Sequence, residues 1–294
     1  MSANPTSESH RSRVILCFGL VYVLWGSTYL AMRVAVRDFP PYVAGTVRYL
    51  AAGPVMLAVC ALLGRKIRIN RQDFFRLLGI AVLLLSLGNI GVLWAEKYVP
   101  SGVTALIMAI VPIWVVIIET RILRAGRMSR QGLVGLALGI AGLLVLLWPR
   151  LTSGTHLGHV ELLGAGILGA GSFCWALGSV FSSRWKISVD VFASAAWQMT
   201  IGGSVNALIA WLTGQFRHTR WTASAFESIG YLVIFGSWIG YSAYSWLLEH
   251  VPTPKVATYT YINPITALFL GWLLLKESVD AFMLAGTVII IGSV

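Results

Sequence analysis

Residues 98–104, YVPSGVT, recur at residues 250–256 as HVPTPKV, an offset of 152 residues. The same offset pairs further residues of identical type: Gly88 with Gly240, Trp94 with Trp246, Pro112 with Pro264, and Ile113 with Ile265. A second patch, Trp25-Gly26-Ser27, resembles residues 175–179, WALGS, at an offset near 150. Self-similarity at one fixed offset indicates a duplicated unit. We therefore expect two similar halves that divide near residues 149–159.

The composition identifies the solvent in which these halves fold. Hydrophobic residues make up 57% of the 294-residue chain and charged residues 11%, with a mean hydropathy of +0.78. Soluble chains carry about 25% charged residues. A soluble domain of this length cannot enclose so much apolar surface, whereas a bilayer accommodates roughly 20 apolar residues in each crossing helix. The composition therefore excludes a soluble globular domain and predicts an all-α integral membrane protein.

Long apolar runs bounded by charged residues, Pro or Gly predict ten transmembrane helices. They lie near 14–36, 42–63, 74–95, 101–122, 131–148, 160–182, 190–213, 226–248, 255–275 and 279–294. Each half takes five, and because five is odd the second half must enter the membrane from the opposite side. We expect two inverted five-helix repeats, divided into a tail 1–13, a first repeat 14–148, a connector 149–159 and a second repeat 160–294.

The distribution of Lys and Arg predicts the orientation of these helices. Of the 22 basic residues, fourteen lie on the side of the N-terminus, seven lie on the other side, and Arg48 lies within the second helix. Because cytoplasmic loops carry the excess of Lys and Arg, both termini and the tail 1–13 are expected in the cytoplasm and the connector 149–159 in the periplasm. The net charge of +11 is then a topology signal, and no nucleic-acid partner is expected.

Several motifs resemble one family of membrane proteins. They are Trp25-Gly26-Ser27-Thr28 in the first helix, Arg48 in the second, Val-Pro and a later Pro in the fourth and ninth, and Leu275-Lys276-Glu277 at the end of the ninth. Together they resemble the EamA type of the drug/metabolite transporter superfamily, in its aromatic amino acid exporter branch, over residues 14–294. The chain departs from the family pattern at Arg124-Ala125-Gly126, where a Gly-Glu pair is frequent, and in the spacing of Trp175 and Ser179.

The resemblance implies a multi-pass protein of the bacterial inner membrane that exports or exchanges small metabolites, with amino acids, including aromatic ones, prominent among them. Inverted repeats supply a mechanism, because two similar halves in opposite orientations can exchange conformations. Alternating access around a central cavity is the expected mode of transport. The expected partners are a small-molecule substrate and the lipid bilayer, with the oligomeric state left open and a monomer as one option.

Pro112 and Pro264 are candidate hinges. Each lies about eleven residues into a predicted helix, and a helix-interior proline frees the carbonyl four residues earlier, here Met108 and Thr260. Corresponding interruptions in two halves favour a bend that opens a cavity. A kink that serves only packing is the alternative.

Deeply placed aromatic and polar side chains are the candidates for binding the substrate. Trp238, Tyr241 and Tyr244 are spaced three residues apart, which predicts one shared helix face, and a buried hydroxyl or amide must find a partner. Packing or contact with lipid is the alternative for any one of them. The candidates are Trp25, Ser27, Asn89, Trp114, Trp175, Ser179, Trp238, Tyr241, Tyr244, Tyr259 and Asn263. Aromatic walls with uncharged polar groups would accept a zwitterion without a fixed counter-ion.

Glu119 and Arg48 are the main ionisable residues within the spans. Glu119 is expected in an ion pair near Arg121 and Arg124 at the cytoplasmic end, with a proton relay as the alternative. Arg48 is expected within two turns of the outer surface, where it can snorkel or pair with a helix end. A carrier driven by protons usually keeps an ionisable group near the midplane, so we expect facilitated diffusion or exchange without obligatory ion coupling.

No catalytic motif is present. The sequence lacks a Walker A loop, HExxH and GxSxG, and Cys17, Cys60 and Cys174 lack the spacing of a metal site. We expect no enzyme activity, no cofactor and no metal. The alternatives to an amino acid exporter are an exporter of hydrophobic cations or nucleotide-like metabolites, and a non-transporting scaffold or lipid scramblase.

Overall fold

A computed structural model describes residues 5–98, 104, 107–124, 129–152, 159–275 and 280–293. Across these residues the regular structure is helical, without a β-strand. Parts of several predicted features lie outside them: residues 99–103 of the repeated motif, Ala125 and Gly126, most of the connector, and Lys276-Glu277.

The described chain forms ten helical rods, which we label α1 to α10. Six are single α-helices: α1 Pro5–Ala35, α2 Pro41–Leu62, α5 Arg130–Thr152, α6 His159–Arg184, α7 Val191–Leu212 and α10 Ala281–Ser293. Four are composite: α3 joins Arg71–Ala81, Val82–Gly88 and Asn89–Tyr98; α4 joins Val111–Ile117 and Ile118–Ile122; α8 joins Ala223–Tyr231, Leu232–Tyr241 and Ser242–His250; α9 joins Thr253–Val256 and Tyr259–Leu275.

Capping residues extend the third and eighth helices beyond their predicted ends. The apolar runs predicted 74–95 and 226–248, whereas α3 spans 71–98 and α8 spans 223–250. The Asn70 side chain accepts a hydrogen bond from the amide of Asp73 (2.8 Å), and the Thr222 hydroxyl accepts one from Ala225 (3.2 Å). Such caps satisfy the first free amides of a helix, so the helix begins before its apolar run. Similarly, α5 continues to Thr152, four residues beyond the predicted end at 148.

Matching features occur 150 to 152 residues apart. The helices α2 and α7 each contain 22 residues and begin at Pro41 and Val191. Gly64 (φ 69°) follows the first and Gly214 (φ 67°) follows the second, both in the left-handed region. In α3 and α8, the segments Val82–Gly88 and Leu232–Tyr241 are π-helical. The order of elements is therefore similar in the two halves.

The two matching helices α2 and α7 pack closely against each other. A Cβ placed on Gly53 would lie 2.5 Å from the amide nitrogen of Thr200, so only a glycine fits at this crossing. Gly203 of α7 faces Leu50 of α2 in the same manner. Small residues of this kind allow membrane helices to approach each other. Among the residues whose burial the structure describes, the main buried cluster contains none from α5 or α10. These two helices pack against each other through Gly142 and Ile290.

The outer surface is apolar. Within the described residues, four helices are long and apolar enough to cross a membrane: Ser9–Ala35, Pro41–Leu62, Arg71–Tyr98 and Gly166–Arg184. Side chains such as Leu62, Trp211 and Val288 are 87%, 69% and 71% exposed. A water-soluble protein rarely exposes so many large apolar side chains, so this surface fits a bilayer.

Candidate functional site

A cavity lies among the helices at the centre of the structure. Its volume of about 40 Å³ holds on the order of three water molecules. Helices α1, α2, α3, α6, α8 and α9 contribute to its lining, together with Met108, which precedes α4. The lining consists of Trp25, Thr28, Tyr29, Met32, Arg48, Tyr49, Leu85, Asn89, Val92, Met108, Trp175, Tyr241, Tyr259 and Asn263. Both halves of the chain therefore build the cavity.

Four aromatic rings form a cluster at this cavity, which we call the aromatic cluster: Trp25, Trp175, Tyr244 and Tyr259. The ring of Trp25 lies 5.6 Å from Trp175, 4.8 Å from Tyr244 and 5.0 Å from Tyr259, measured between centroids. These spacings and the tilted or edge-on geometries are those that aromatic pairs prefer. The rings come from α1, α6, α8 and α9, so the cluster joins helices of both halves.

Hydrogen bonds fix the cluster. The indole Nε1 of Trp25 donates to the carbonyl of Gly236 (3.1 Å), and the hydroxyls of Ser179 and Tyr244 lie 2.5 Å apart. Ser179 also donates to the carbonyl of Trp175 (2.6 Å). Ser179 and Tyr244 therefore lie behind the cavity wall and hold its rings.

Arg48 lies inside the protein, and the expectation that it snorkels to the outer surface is wrong. Its side chain is 5% exposed and lines the cavity. The guanidinium Nε donates to the hydroxyl of Ser237 (2.9 Å), and its carbon lies 5.0 Å from the centre of the Tyr49 ring. Gly236 makes room for it, because a Cβ there would lie 2.7 Å from a terminal nitrogen of Arg48. In the described part of the chain no carboxylate pairs with Arg48.

Two asparagines also face the cavity. Asn89 and Asn263 line it, and the side-chain oxygen of each is buried without a hydrogen-bond partner. Tyr241 differs, because its hydroxyl donates to the side-chain oxygen of Gln198 (2.6 Å). Sequence analysis missed Gln198, although a glutamine within a membrane span needs partners for its amide and could have been recognised on that ground.

The structure separates three predicted binding residues from the cavity lining. The hydroxyl of Ser27 bonds to Tyr231 (2.6 Å). The indole of Trp238 donates to the carbonyl of Ala52 (3.0 Å). Trp114 packs edge-on against Phe173 with centroids 5.4 Å apart and lines a separate apolar groove. Six of the eleven predicted residues line the cavity: Trp25, Asn89, Trp175, Tyr241, Tyr259 and Asn263.

The predicted aromatic stripe on α8 forms only in part: the rings of Tyr241 and Tyr244 lie 6.3 Å apart between centroids, whereas the indole of Trp238 bonds to Ala52 of α2. Trp238 and Tyr241 belong to the π-helical segment Leu232–Tyr241, and Tyr244 follows it. A π-helix bonds each residue to the fifth one along, so a spacing of three residues turns through a smaller angle than in an α-helix. Trp238 therefore points to α2, while Tyr241 points to the cavity and Tyr244 to the aromatic cluster.

The two prolines occupy different positions in their helices. Pro112 is in the first turn of Val111–Ile117, after a turn at 109–110, and is not in a helix interior as predicted. A proline lacks an amide hydrogen and is tolerated at a helix start, so the helix breaks before it. Pro264 lies inside Tyr259–Leu275, after a turn at 257–258. The helical path is therefore interrupted ahead of each proline.

Glu119 forms an ion pair away from the cavity. Its carboxylate lies 3.7 Å from the guanidinium of Arg184 on α6. The sequence favoured an ion pair near Arg121 and Arg124, whereas the partner in the structure is Arg184. The two side chains are 20% and 41% exposed. Another acidic residue, Glu96, is 4% exposed near the end of α3, whereas the sequence identified it only as a boundary of the apolar run.

The family model of the EamA-like transporter family matches residues 12–148 and again residues 162–294. This chain belongs to the EamA-like transporter family. Because one family model matches twice, the two halves resemble one sequence pattern, in agreement with the paired features of the fold.

Named relatives agree with this assignment. The Uncharacterized inner membrane transporter YedA of Escherichia coli K12 is 35% identical over 252 residues, which cover 85% of this chain and 79% of that protein. The Uncharacterized transporter YoaV of Bacillus subtilis is 25% identical over 95% of this chain and 94% of its own. A protein of Salmonella typhimurium named "Probable amino-acid metabolite efflux pump" is 25% identical over 93% of this chain and 90% of its own.

A solved crystal structure shares the fold, with a TM-score of 0.78 at 19% identity, covering 96% of this chain and 95% of that chain. The EamA family and its named relatives point to transport and not to catalysis. Relatives in the inner membrane and the apolar helices support a multi-pass membrane protein.

Proposed function

We propose that this EamA-family protein exports small metabolites across the bacterial inner membrane, with amino acids, including aromatic ones, as its substrates. The observation that carries the proposal is the small cavity built by both halves, with aromatic rings and unpaired side-chain oxygens on its wall. Cavities that combine apolar walls with a few placed polar groups are typical of small-molecule sites. The relative named as an amino-acid metabolite efflux pump supports the substrate class.

Alternating access is the proposed mechanism, with the two halves inserted in opposite orientations. One loop of each half meets a loop of the other. Asp38 accepts hydrogen bonds from the amide of Arg220 through its carbonyl (2.9 Å) and from the Thr222 hydroxyl through its carboxylate (2.6 Å). At the other end of α2, Arg65 pairs with Asp190 (3.3 Å). We propose that these loop contacts act as gates at the two faces, which open in turn during transport.

A substrate larger than about three water molecules does not fit the described cavity of about 40 Å³. The described conformation is therefore contracted around the site, and an aromatic amino acid enters only when helices α1 and α8 separate. Glu119 lies outside the cavity lining, in an ion pair with Arg184. We therefore propose facilitated diffusion or exchange in which proton coupling through this carboxylate has no part.

The buried guanidinium of Arg48 disfavours hydrophobic cations as substrates, because like charges repel strongly in a medium of low dielectric constant. A scaffold or lipid scramblase has no need of a cavity with unpaired polar groups, because such groups lower the stability of a protein that binds no ligand there. A nucleotide-like metabolite brings phosphate charges that one arginine does not balance. These observations favour the zwitterionic substrate over the alternatives.

Counterflow in proteoliposomes that contain only this protein tests the proposal. Labelled amino acids, a methylated dication and a nucleobase are offered in parallel, with and without ionophores that collapse proton and sodium gradients. We expect flux of amino acids that survives the ionophores. Flux of only the dication or the nucleobase, or no flux of any solute, would overturn the assignment to amino acids.

A further inference from the structure

Three polar side chains line the same cavity, and each has hydrogen-bonding atoms that no described residue uses. Arg48 is 5% exposed and uses its Nε for Ser237, while in the described part of the chain its terminal nitrogens have no hydrogen-bond partner. The side-chain oxygens of Asn89 and Asn263 are buried and accept no hydrogen bond. Unpaired buried donors and acceptors are unfavourable. Their convergence on one cavity indicates a ligand that supplies both an acceptor and a donor.

We infer that Arg48 binds the carboxylate of the substrate and that Asn89 and Asn263 accept hydrogen bonds from its ammonium group. This inference rests on the proposed function and names the part of the substrate that the cavity recognises, the head group of an α-amino acid. The planar guanidinium matches a carboxylate through two parallel hydrogen bonds. Arg48 is fixed by Ser237 and by the Tyr49 ring, so its terminal nitrogens are preorganised to donate.

The charges of the lining set the selectivity. Arg48 is the charged side chain among the described lining residues, so the cavity presents one positive charge and neutral acceptors. An amine without a carboxylate would place a second positive charge beside Arg48. A phosphate ester would bring a second negative charge without a second cation. An acid without an ammonium group would leave the asparagine oxygens unpaired. A zwitterion satisfies all three groups.

The cavity is smaller than the substrate in the described conformation. Its volume of about 40 Å³ holds on the order of three water molecules, which is less than an amino acid head group, so the head group enters only when the cavity widens. The indoles of Trp25 and Trp175 and the ring of Tyr259 line the same cavity. They lie where a side chain would extend once the helices separate, and they stack on apolar or aromatic groups.

Three compounds that share one side chain test the inference. Binding of labelled L-phenylalanine to the full-length protein in detergent is competed with unlabelled L-phenylalanine, phenethylamine, which lacks the carboxylate, and 3-phenylpropionate, which lacks the ammonium group. The variants are Arg48→Gln and Arg48→Lys. Arg68→Gln is the matched control, because Arg68 is exposed and its replacement removes the same charge outside the cavity. Each variant is also measured for counterflow in proteoliposomes.

For the wild type we expect L-phenylalanine to bind at least about tenfold more tightly than either analogue, since each charged contact is strong. Arg48→Gln should weaken the binding of both carboxylates about tenfold or more and strengthen the binding of the amine, because the like charge beside it is removed. Arg48→Lys should lie between. Arg68→Gln should match the wild type. A preference for the carboxylates that survives in Arg48→Gln overturns the inference, even where amino acid transport itself is observed.

The two proposals fail in different ways. A wild type that binds 3-phenylpropionate through Arg48 but neither binds nor transports amino acids supports the carboxylate anchor and overturns the amino acid assignment. If Arg48→Gln does not fold, the variant Asn263→Asp tests the inference instead. It keeps the size of the side chain and adds a negative charge beside the proposed ammonium group. We expect phenethylamine to bind Asn263→Asp about tenfold more tightly than it binds the wild type, and an unchanged ratio of amine to amino acid affinity overturns the inference.

Discussion

The indole of Trp25 lies so close to Gly240 that a Cβ on this glycine would be 2.5 Å from Nε1. Trp175 lies against Gly88 in the same way, with a Cβ there 3.0 Å from the indole ring. The tryptophans are 150 residues apart and the glycines 152 residues apart. Each half therefore places an indole of the aromatic cluster on a glycine in the π-helical segment of the other half. These two contacts fix the positions of the indoles of Trp25 and Trp175, which line the cavity.

Replacement of Gly240 by alanine should displace Trp25 and break its hydrogen bond to the Gly236 carbonyl. Overpacking of this kind lowers the free energy of unfolding by about 1–3 kcal/mol. We therefore expect a lower midpoint of thermal unfolding and reduced counterflow of amino acids. Gly230→Ala is the matched control, because it lies on the same rod and nothing stands within 4 Å of its added Cβ. A Gly240→Ala variant with wild-type transport and unchanged tryptophan emission would contradict the role of this contact.

Gly236→Ala moves the guanidinium of Arg48 without removing its charge. The added Cβ would lie 2.7 Å from a terminal nitrogen of Arg48 and 3.2 Å from the Thr28 methyl group. Because the arginine end is flexible, it should yield, and its bond to Ser237 should lengthen. We expect amino acid affinity to fall several-fold while the protein remains folded, measured by equilibrium binding. Affinity that is unchanged would mean that the position of the guanidinium does not matter for binding.

The repeat and the apolar runs predicted the fold well, because both depend on local sequence. Ten helices and their order follow from the spacing of apolar residues and breakers. Two predicted starts are wrong: α1 begins at Pro5 and not at 14, and α4 begins at Val111, after a turn, and not at 101. The site was harder. Arg48 could not be placed from its own helix, since Gly236 and Ser237 of α8 provide the space and the hydrogen bond that keep it inside. No local pattern marks such a long-range pair.

The register of α8 explains the errors at Trp238. An α-helical spacing predicted Trp238 beside Tyr241, whereas Leu232–Tyr241 winds as a π-helix. The sequence VLLLSLG and its counterpart LVIFGSWIGY carry no signal of a π-helix that differs from an ordinary apolar helix. The asparagines were cavity candidates because their amides need partners at any position in a bilayer, and both line the described cavity.

Removal of either partner of the Ser179–Tyr244 hydrogen bond should lower the stability of the protein, and by different amounts. Ser179→Ala leaves the buried hydroxyl of Tyr244 without a partner and should lower the free energy of unfolding by about 1–3 kcal/mol. Tyr244→Phe leaves Ser179 bonded to the carbonyl of Trp175 (2.6 Å) and should cost about 1 kcal/mol. Denaturation in detergent measures both. Equal losses, or a larger loss for Tyr244→Phe, would contradict this assignment of partners.

Glu119→Gln should have little effect on transport. The carboxylate pairs with Arg184 at 3.7 Å in a partly exposed position, where ion pairs contribute about 0–1 kcal/mol. We expect counterflow of Glu119→Gln to match the wild type and both to be insensitive to a proton ionophore. Counterflow that depends on the proton gradient in the wild type and loses that dependence in Glu119→Gln would identify Glu119 as a coupling group.

The loop contacts at the two faces should control access to the cavity in opposite directions. Asp38 joins the loop after α1 to Thr222 (2.6 Å), whereas Asp73 joins the start of α3 to Ser188 at the other end of the bundle.

Met32→Cys, in a background without the three native cysteines, reports on the cavity lining. Asp38→Ala should increase labelling by an impermeant maleimide from one side of the membrane, and Asp73→Ala from the other. Alternating access requires this opposition, because each contact closes one face while the cavity opens to the other. Increased labelling from the same side in both variants would mean that the contacts do not act as separate gates.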